Sequence, residues 1–466
     1  MAALDKETLE LLAEAAERLE AGCANLPAAK ASVPGRGRLA EVLRETADRL
    51  QDNFPYFHPL YAGQMLKPPH PLARLAYSLA LCINPNNHAL DGGRASSAME
   101  KEAVAEIAAM FGWRTFLGHL CGGGTMANLE ALWIAGETRP GKTIVASEQA
   151  HYTHERLSKV LKLGFDKVAC DARGRMDMQA LKRRLDGGGV GAVVATLGTT
   201  ATGAVDPLEE ILRMREEYGF RVHADAAYGG YFVLADKVEA DTGRELARLG
   251  EADSIVVDPH KHGLQPYGCG CVLFRDASVG RFYKHESPYT YFSSGELHLG
   301  EISLECSRPG AAAVALWATQ RLLPLVRGGE FAKGLEKGRE AALALYEKLR
   351  SDGAWFTACA PELDIVVFAP RVARAANQTA SAADISRASR RVFQRAAARG
   401  LHLALAELPV KFFPEAAHAT AGGAQTITCL RSVLMKPEHA EWVERIWALL
   451  SEAARGVNAW KWREWK

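Results

Sequence analysis

Two stretches carry residues able to do covalent chemistry. In SIVVDPHKHGLQPYGCGC (Ser254–Cys271), a β-branched run ends at Asp258-Pro259 and delivers His260 and Lys261 into a loop punctuated by Gly263, Gly268 and Gly270. Such a run suits a strand buried on both faces of a parallel sheet. A lysine fixed at a rigid strand exit and partly desolvated can serve as an amine nucleophile of the Schiff-base kind. Upstream, HADAAYGG (His223–Gly230) closes a second strand beginning at Phe220. Strand alternation turns His223, Asp225 and Ala227 toward one face, so a carboxylate and a small methyl project together. They do so at a strand's carboxyl end, the edge where open α/β sheets bind ligands.

A lysine, a carboxylate and a flat-packing methyl at neighbouring strand ends match the needs of pyridoxal phosphate. The amine attaches the cofactor, the acid keeps the pyridine nitrogen protonated, and the Ala227 methyl supports a ring face. A third stretch, His119-Leu120-Cys121-Gly122-Gly123-Gly124-Thr125, leads into a helix from Met126 to Ala135. Its glycines let backbone amides face outward, and the helix amino terminus adds positive potential, so Gly124 and Thr125 are candidates to cradle a phosphate.

DAAYGG and DPHK in this order resemble the pyridoxal-phosphate decarboxylases of the group II family, and the motifs around them most resemble bacterial tyrosine and aromatic L-amino acid decarboxylases. The resemblance implies a fold type I (aspartate-aminotransferase-like) α/β domain with a mainly parallel seven-stranded sheet. It implies removal of carbon dioxide from an L-amino acid, tyrosine-like by the motifs, with an acidic substrate (glutamate or aspartate) as the alternative. A cofactor-binding regulatory protein with little turnover is the reading from another class. Carried over residue by residue, it makes Lys261 the attachment point, with Asp225 on the pyridine nitrogen and Thr125 at the phosphate. His151 stacks on the ring, and His260 and Thr200 lie near the cofactor.

For the proton donor the resemblance offers Tyr267, six residues after Lys261, or Tyr289 or Tyr291 in the long loop Phe282–Gly300, with His151 or water as the alternative should no tyrosine serve. Gln64, His88 and Arg431 are the implied substrate contacts. Asn84-Pro85-Asn86-Asn87 is shared with the tyrosine decarboxylases, whereas Asp91-Gly92-Gly93-Arg94 departs from the family and His262 replaces its usual methionine. The family also implies a homodimer with its sites at the subunit interface.

The elements needed to position these residues are legible as alternating strand and helix patterns from Lys142 to Tyr218: strands Thr143–Ala146, Lys167–Cys170 and Val190–Thr196, with helices His151–Leu161, Met176–Leu185 and Pro207–Tyr218. That alternation predicts a mostly parallel sheet covered by helices. Helical spacing of Leu9, Leu12, Ala16 and Leu19, and of Leu39, Val42, Leu43 and Leu50, predicts two amphipathic helices. A further helix is expected from about Ser97, capped by Ser96 or Ser97 with Glu100 completing a capping box. The domain reading is an N-terminal helical arm (1–60) embracing a dimer partner, a large cofactor-binding domain (61–327) and a smaller C-terminal α+β domain (328–466). Helices near Phe331–Leu349 and Ala382–Ala398 and strands near Asp364–Phe368 and Ile427–Val433 are its elements.

Composition narrows the function further. The chain's 56 Lys and Arg balance 55 Asp and Glu, so no overall field recruits nucleic acid or an acidic membrane. Nine scattered cysteines without a CxxC pair fit reduced thiols in the cytoplasm. His151 and His154 have i,i+3 spacing, but no further ligand type accompanies them, so no metal is expected. Gln320 and Arg321 interrupt the longest apolar run, Ala311–Val326, so no membrane span is expected.

Overall fold

The β-branched runs assemble into one sheet. A computed structural model describes residues 5–22, 24–27, 35–284, 297–372, 380–416 and 425–457. Its strands β1 (Leu117–Cys121), β2 (Thr143–Ser147), β3 (Phe165–Val168), β4 (Val190–Thr196), β5 (Arg221–Asp225), β6 (Ser254–Val257) and β7 (Gly270–Phe274) lie in the order β1-β7-β6-β5-β4-β2-β3. From β6 to β3 all neighbours are parallel, while β7 runs antiparallel to both β6 and β1. Every residue of β6, and all of β4 after Val190, is buried. That burial is why these segments read as continuous apolar runs with no polar alternation.

A second sheet follows in the chain. Strands β8 (Trp355–Thr357), β9 (Ile365–Pro370), β10 (Ala404–Pro409) and β11 (Thr426–Val433) pair antiparallel in the order β10-β11-β9-β8. Helices Glu330–Asp352, Ala382–Ala397 and His439–Ala454 cover it, with Leu345, Phe368, Val392, Leu430 and Ile446 in a shared core. An early segment is stitched to this sheet: the Ala62 amide donates to the His402 carbonyl at 2.9 Å, and the Val433 amide to the Ala62 carbonyl at 2.8 Å. The mainly parallel seven-stranded sheet, the smaller sheet and the N-terminal helices are the fold type I plan the sequence implied. Helices Lys6–Ala21 and Arg36–Leu50 bury no residue against the chain, and Leu9, Leu39, Val42 and Leu43 stay exposed. No helix among the described residues is long and apolar enough to cross a membrane.

The expected helix near Ser97 starts earlier. Leu90–Met110 holds two helical stretches that meet at a kink at Gly93, the second being the expected one, with Ala89 at the N-cap of the first, and the expected capping box does not form. The Ser96 hydroxyl donates instead to Asn87 Oδ1 at 2.5 Å. The Glu100 carboxylate is buried, accepting from Asn87 Nδ2 at 2.6 Å, the Leu120 amide at 3.0 Å and Arg308 Nη1 at 2.8 Å. A buried guanidinium needs a carboxylate more than a helix end does, so the tertiary pairing outcompetes the local one. Strands β1 and β7 are additions to the strands named from the sequence; the β1 residue His119 has its Nε2 2.9 Å from the buried Glu130 carboxylate.

Glu100 and Arg308, both nearly inaccessible, pin the helix to β1 and to the segment before Gly310. Glu100→Met or Arg308→Met leaves an uncompensated buried charge and should cost about 3 kcal/mol or more. The double variant Glu100→Met/Arg308→Met should recover much of that loss. Urea denaturation of the four proteins checks it; additive losses would show that the pair does not act as a unit.

Candidate active site

Five strand ends converge on one cavity of about 640 Å³. β1 leads to Gly122–Thr125, β2 to His151, β4 to Thr196 and Thr200, β5 to Asp225 and Ala227, and β6 to Asp258, His260 and Lys261, all of which line it. A parallel sheet brings this about because its strands point their carboxyl ends to the same edge. Of the residues singled out in the sequence, it gathers Lys261, Asp225, Ala227, His151, His260, Gly124, Thr125 and Thr200.

The electrostatics are organised around two carboxylates. Asp225 is 5% exposed, and its Oδ2 lies 2.8 Å from His154 Nε2 while Oδ1 accepts the Ala227 amide at 3.2 Å. Burial opposes ionisation, but the His154 hydrogen bond and charge, joined by Lys261, outweigh it and hold the carboxyl well below the usual carboxylate range. Asp258 Oδ2 lies 2.9 Å from Lys261 Nζ. Burial would lower the Lys261 ammonium, yet Asp258 and Asp225 together raise it above the ordinary lysine value. The lysine is therefore held as a cation between two acids until something takes its proton.

At the other end, the helix Gly124–Thr138 begins without a side-chain cap, so its first amides face the cavity. Gly123 has φ 142°, a conformation that favours glycine, and a Cβ there would meet the His260 ring at 3.1 Å. A Cβ on Gly124 would strike Asp258 Oδ2 at 2.6 Å. Thr196 Oγ1 and His260 Nδ1 are buried without a partner among the described residues. An open helix terminus, a cradle that any methyl would fill and two orphaned polar atoms fit a phosphorylated group whose far end meets Asp225.

The remaining candidates lie elsewhere. Tyr267 is 58% exposed, packs on the His260 ring with centroids 4.8 Å apart, and donates its hydroxyl to the Met65 carbonyl at 3.2 Å. Tyr289 and Tyr291 lie outside the described residues. Arg431 is buried in β11 and donates from Nη1 to the Gly63 carbonyl at 3.3 Å, which sets it beside the exposed Gln64. His88 is half-buried, its carbonyl accepting the Gly300 amide at 2.9 Å. None of Gln64, His88, Tyr267 and Arg431 is part of the cavity lining.

Sequence reading missed two contributors. His154, which the sequence offers only as a metal ligand through its spacing to His151, is the hydrogen-bond partner of Asp225, 71 positions away in the chain. Its place one helical turn beyond His151 was the available signal. Asp258 stands three residues before Lys261, a spacing that could have flagged the ion pair.

Comparison with known proteins agrees with this geometry. The family model described as the pyridoxal-dependent decarboxylase conserved domain matches residues 139–371. The chain is 31% identical over 318 residues to a probable L-tyrosine/L-aspartate decarboxylase of Methanothermobacter thermautotrophicus, covering 66% of this chain and 82% of that protein. It is 27% identical over 391 residues to the L-tyrosine decarboxylase of Enterococcus faecium, covering 62% of this chain and 64% of that one. It thus spans just under two thirds of the latter's length. An L-aspartate decarboxylase of Thermococcus kodakarensis is 28% identical over 294 residues, with coverage of 61% and 73%. Among solved structures, mouse CSAD shares the fold at TM-score 0.77 and 20% identity, covering 94% and 92% of the two chains. Oryza sativa TDC with PLP and tryptamine does so at TM-score 0.77 and 18% identity, covering 98% and 100%.

Replacing His154 tests the buried anion. His154→Leu leaves the Asp225 carboxylate with one backbone donor and should destabilise the protein by about 3 kcal/mol at pH 7. Because the folded pKa of Asp225 is depressed, its stabilisation is present above its unfolded value near 4 and is lost as pH falls. In the variant burial acts less opposed and the pKa rises, so the deficit should shrink between pH 7 and pH 5. Denaturation at both values checks it, and an equal deficit at both would refute the assignment.

Proposed function

The chain belongs to the pyridoxal-dependent decarboxylase family, and from that premise we propose that it is a carboxy-lyase that converts an L-amino acid to its amine and carbon dioxide. The observation that carries the reading is the single cavity in which Lys261, an ionised Asp225 and an uncapped helix terminus face one another. In it Lys261 would hold pyridoxal phosphate through its amine, Asp225 would hold the pyridine nitrogen, and Gly124, Thr125 and the helix amides would hold the phosphate. His151 and Ala227 would flank the ring. Once bound, the cofactor supplies an electron-accepting ring conjugated to the substrate amine.

The protein's own groups do the rest. His154 keeps Asp225 an anion, so a proton on the pyridine nitrogen is favoured by a charge that never leaves. Asp258 Oδ2, 2.9 Å from Lys261 Nζ, is placed to receive the proton that the amine must give up before it can react. A tyrosine hydroxyl would return a proton to the α-carbon; Tyr267, Tyr289 and Tyr291 are the candidates.

A tyrosine-like substrate follows from the Asn84–Asn87 and DPHK-to-Tyr267 motifs and from the relatives named as tyrosine decarboxylases. A second reading, an acidic substrate, is favoured by Arg431: its Nε and Nη2 are buried without a partner among the described residues, it adjoins Gln64, and relatives are named for aspartate as well. In this reading residues 61–327 form the cofactor domain and 328–466 the small domain. Helices Lys6–Ala21 and Arg36–Leu50, on which Leu9, Leu39, Val42 and Leu43 stay exposed, serve as an arm on a second copy. The eight cysteines among the described residues are free, which fits a cytoplasmic enzyme.

Carbon dioxide release, measured with added pyridoxal phosphate on L-tyrosine, other aromatic amino acids, L-aspartate and L-glutamate, should be fastest with tyrosine. Fastest release from aspartate or glutamate would establish the second reading. No release from any of them, with cofactor absorbance intact, would leave a binding protein of low turnover.

Lys261→Ala should abolish the visible absorbance of the bound cofactor. Asp225→Ala should lower turnover on the order of 1,000-fold, the scale for losing one preorganised charged group. Turnover near wild type in either variant would overturn the assignment. Among Tyr267→Phe, Tyr289→Phe and Tyr291→Phe, the variant that diverts product from amine to aldehyde identifies the proton donor.

A further inference from the structure

A second cavity, of about 780 Å³, shares no lining residue with the first. It lies between the segment from Phe57 to Arg74, the first turns of the helix Glu330–Asp352, and the turn at Lys436–Glu438. Five cationic side chains line it, Lys67, Arg74, Lys333, Lys337 and Lys436, against two carboxylates, Glu330 and Glu438. The charges are also sorted by depth. Lys67 and Lys436 are 9% and 2% exposed, whereas both carboxylates are exposed.

Neither buried ammonium has a carboxylate within 4.0 Å among the described residues. Lys67 Nζ donates to the Met435 carbonyl at 3.4 Å and Lys436 Nζ to the Tyr61 carbonyl at 2.5 Å. Burial pushes Lys67 down to about 8 and Lys436 down to about 7, the response of an amine whose charge is poorly compensated. With only carbonyl acceptors, and the Tyr61 ring 5.3 Å from Lys436 Nζ, the two ammonium groups gain from an anion that enters the cavity, because a buried charge with no opposite charge beside it is costly. Phe57, Leu264, Phe331 and Trp442 supply apolar wall. The volume lies within the range of small-molecule sites and exceeds what a bare ion fills.

We propose that this cavity binds a small organic anion with two or more negative charges, its oxyanions on Lys67 and Lys436 and its body against the aromatic wall. Lys333 and Lys337, exposed and one turn apart on a helix, form the entrance and draw the anion in. The site adjoins the reaction centre through the chain itself. His262, which follows Lys261, forms part of the wall, and its Nε2 lies 3.3 Å from Asp364 Oδ2. Asp364 Oδ1 in turn accepts the hydroxyl of Tyr228, a residue lining the first cavity.

Calorimetric titration of the full-length, cofactor-saturated and desalted protein tests this with inorganic phosphate and with citrate, at ionic strength matched by chloride. The wild type should bind at least one of them at one site per chain. A preference for phosphate would mark a phosphomonoester ligand, and a preference for citrate a polycarboxylate. Lys67→Met should weaken binding at least about tenfold, the effect of one charge-assisted contact. The surface variant Lys333→Glu/Lys337→Glu, which poses no folding risk, should weaken it too and steepen its loss with salt. Absence of binding by the wild type, or binding unchanged in the surface variant, would overturn the proposal. Because the readout is binding, the proposal can fail while decarboxylation stands, and the reverse.

Discussion

A carboxylate that must stay charged while nearly out of water is the constraint on which the rest depends. Asp225 ends β5, a strand in the middle of the sheet flanked by β4 and β6. There solvent cannot stabilise its charge, and burial alone would neutralise it. The protein answers with His154 at 2.8 Å, the Ala227 amide at 3.2 Å and the field of Lys261. His154 is itself set by the helix Thr153–Val160, and His223, one pleat behind Asp225, is fixed between Asn128 and Ser254 at 2.8 and 2.9 Å. Burial drives His223 down to about 3, so it stays neutral and adds no competing proton near the anion. One buried charge thus dictates the chemistry of a helix and two strands around it.

The positive counterpart is handled oppositely. Lys261 keeps its proton through Asp258 and Asp225, and the helix terminus at Gly124 adds partial positive charge across the cavity. Two carboxylates and two centres of positive potential therefore share one cavity. Such an arrangement matches a group that is cationic at one end and anionic at the other, as a protonated pyridine bearing a phosphate is. It leaves a neutral or uniformly charged molecule with nothing to gain.

What the sequence made legible follows from how local each signal is. Lys261, Asp225 and the glycine run announce themselves because each depends on its own strand end, and period-two and period-3.6 patterns place those ends with little ambiguity. The seven-stranded plan came with the motifs, while β1, interrupted by His119, did not read as a strand. Glu100 misled because a serine and a glutamate three or four residues apart mimic a helix start, while its true partner Arg308 lies 208 positions on. His154 was visible but not interpretable, since its partner belongs to another strand. Pairings across such distances are fixed by packing, and a single sequence does not encode them in any local pattern.

The same distance argument explains why the small sheet bears on the chemistry at all. Tyr228, three residues after Asp225, and His262, directly after Lys261, both meet Asp364, which precedes β9 of the other sheet. Burial raises the Asp364 carboxyl to about 6 while the Tyr228 hydrogen bond opposes it, so near neutrality it remains mainly an acceptor. His262 also packs against the rings of Tyr228 and Phe232, with centroids 4.6 and 5.1 Å away. Methionine, usual at this position in the decarboxylases the chain resembles, would fill the space but hold no direction, being unbranched and flexible. The His262 ring instead fills the space between two aromatic rings, with Nε2 3.3 Å from the buried Asp364 carboxylate. The segment that presents Lys261 is therefore packed against the residue that precedes β9 of the second sheet.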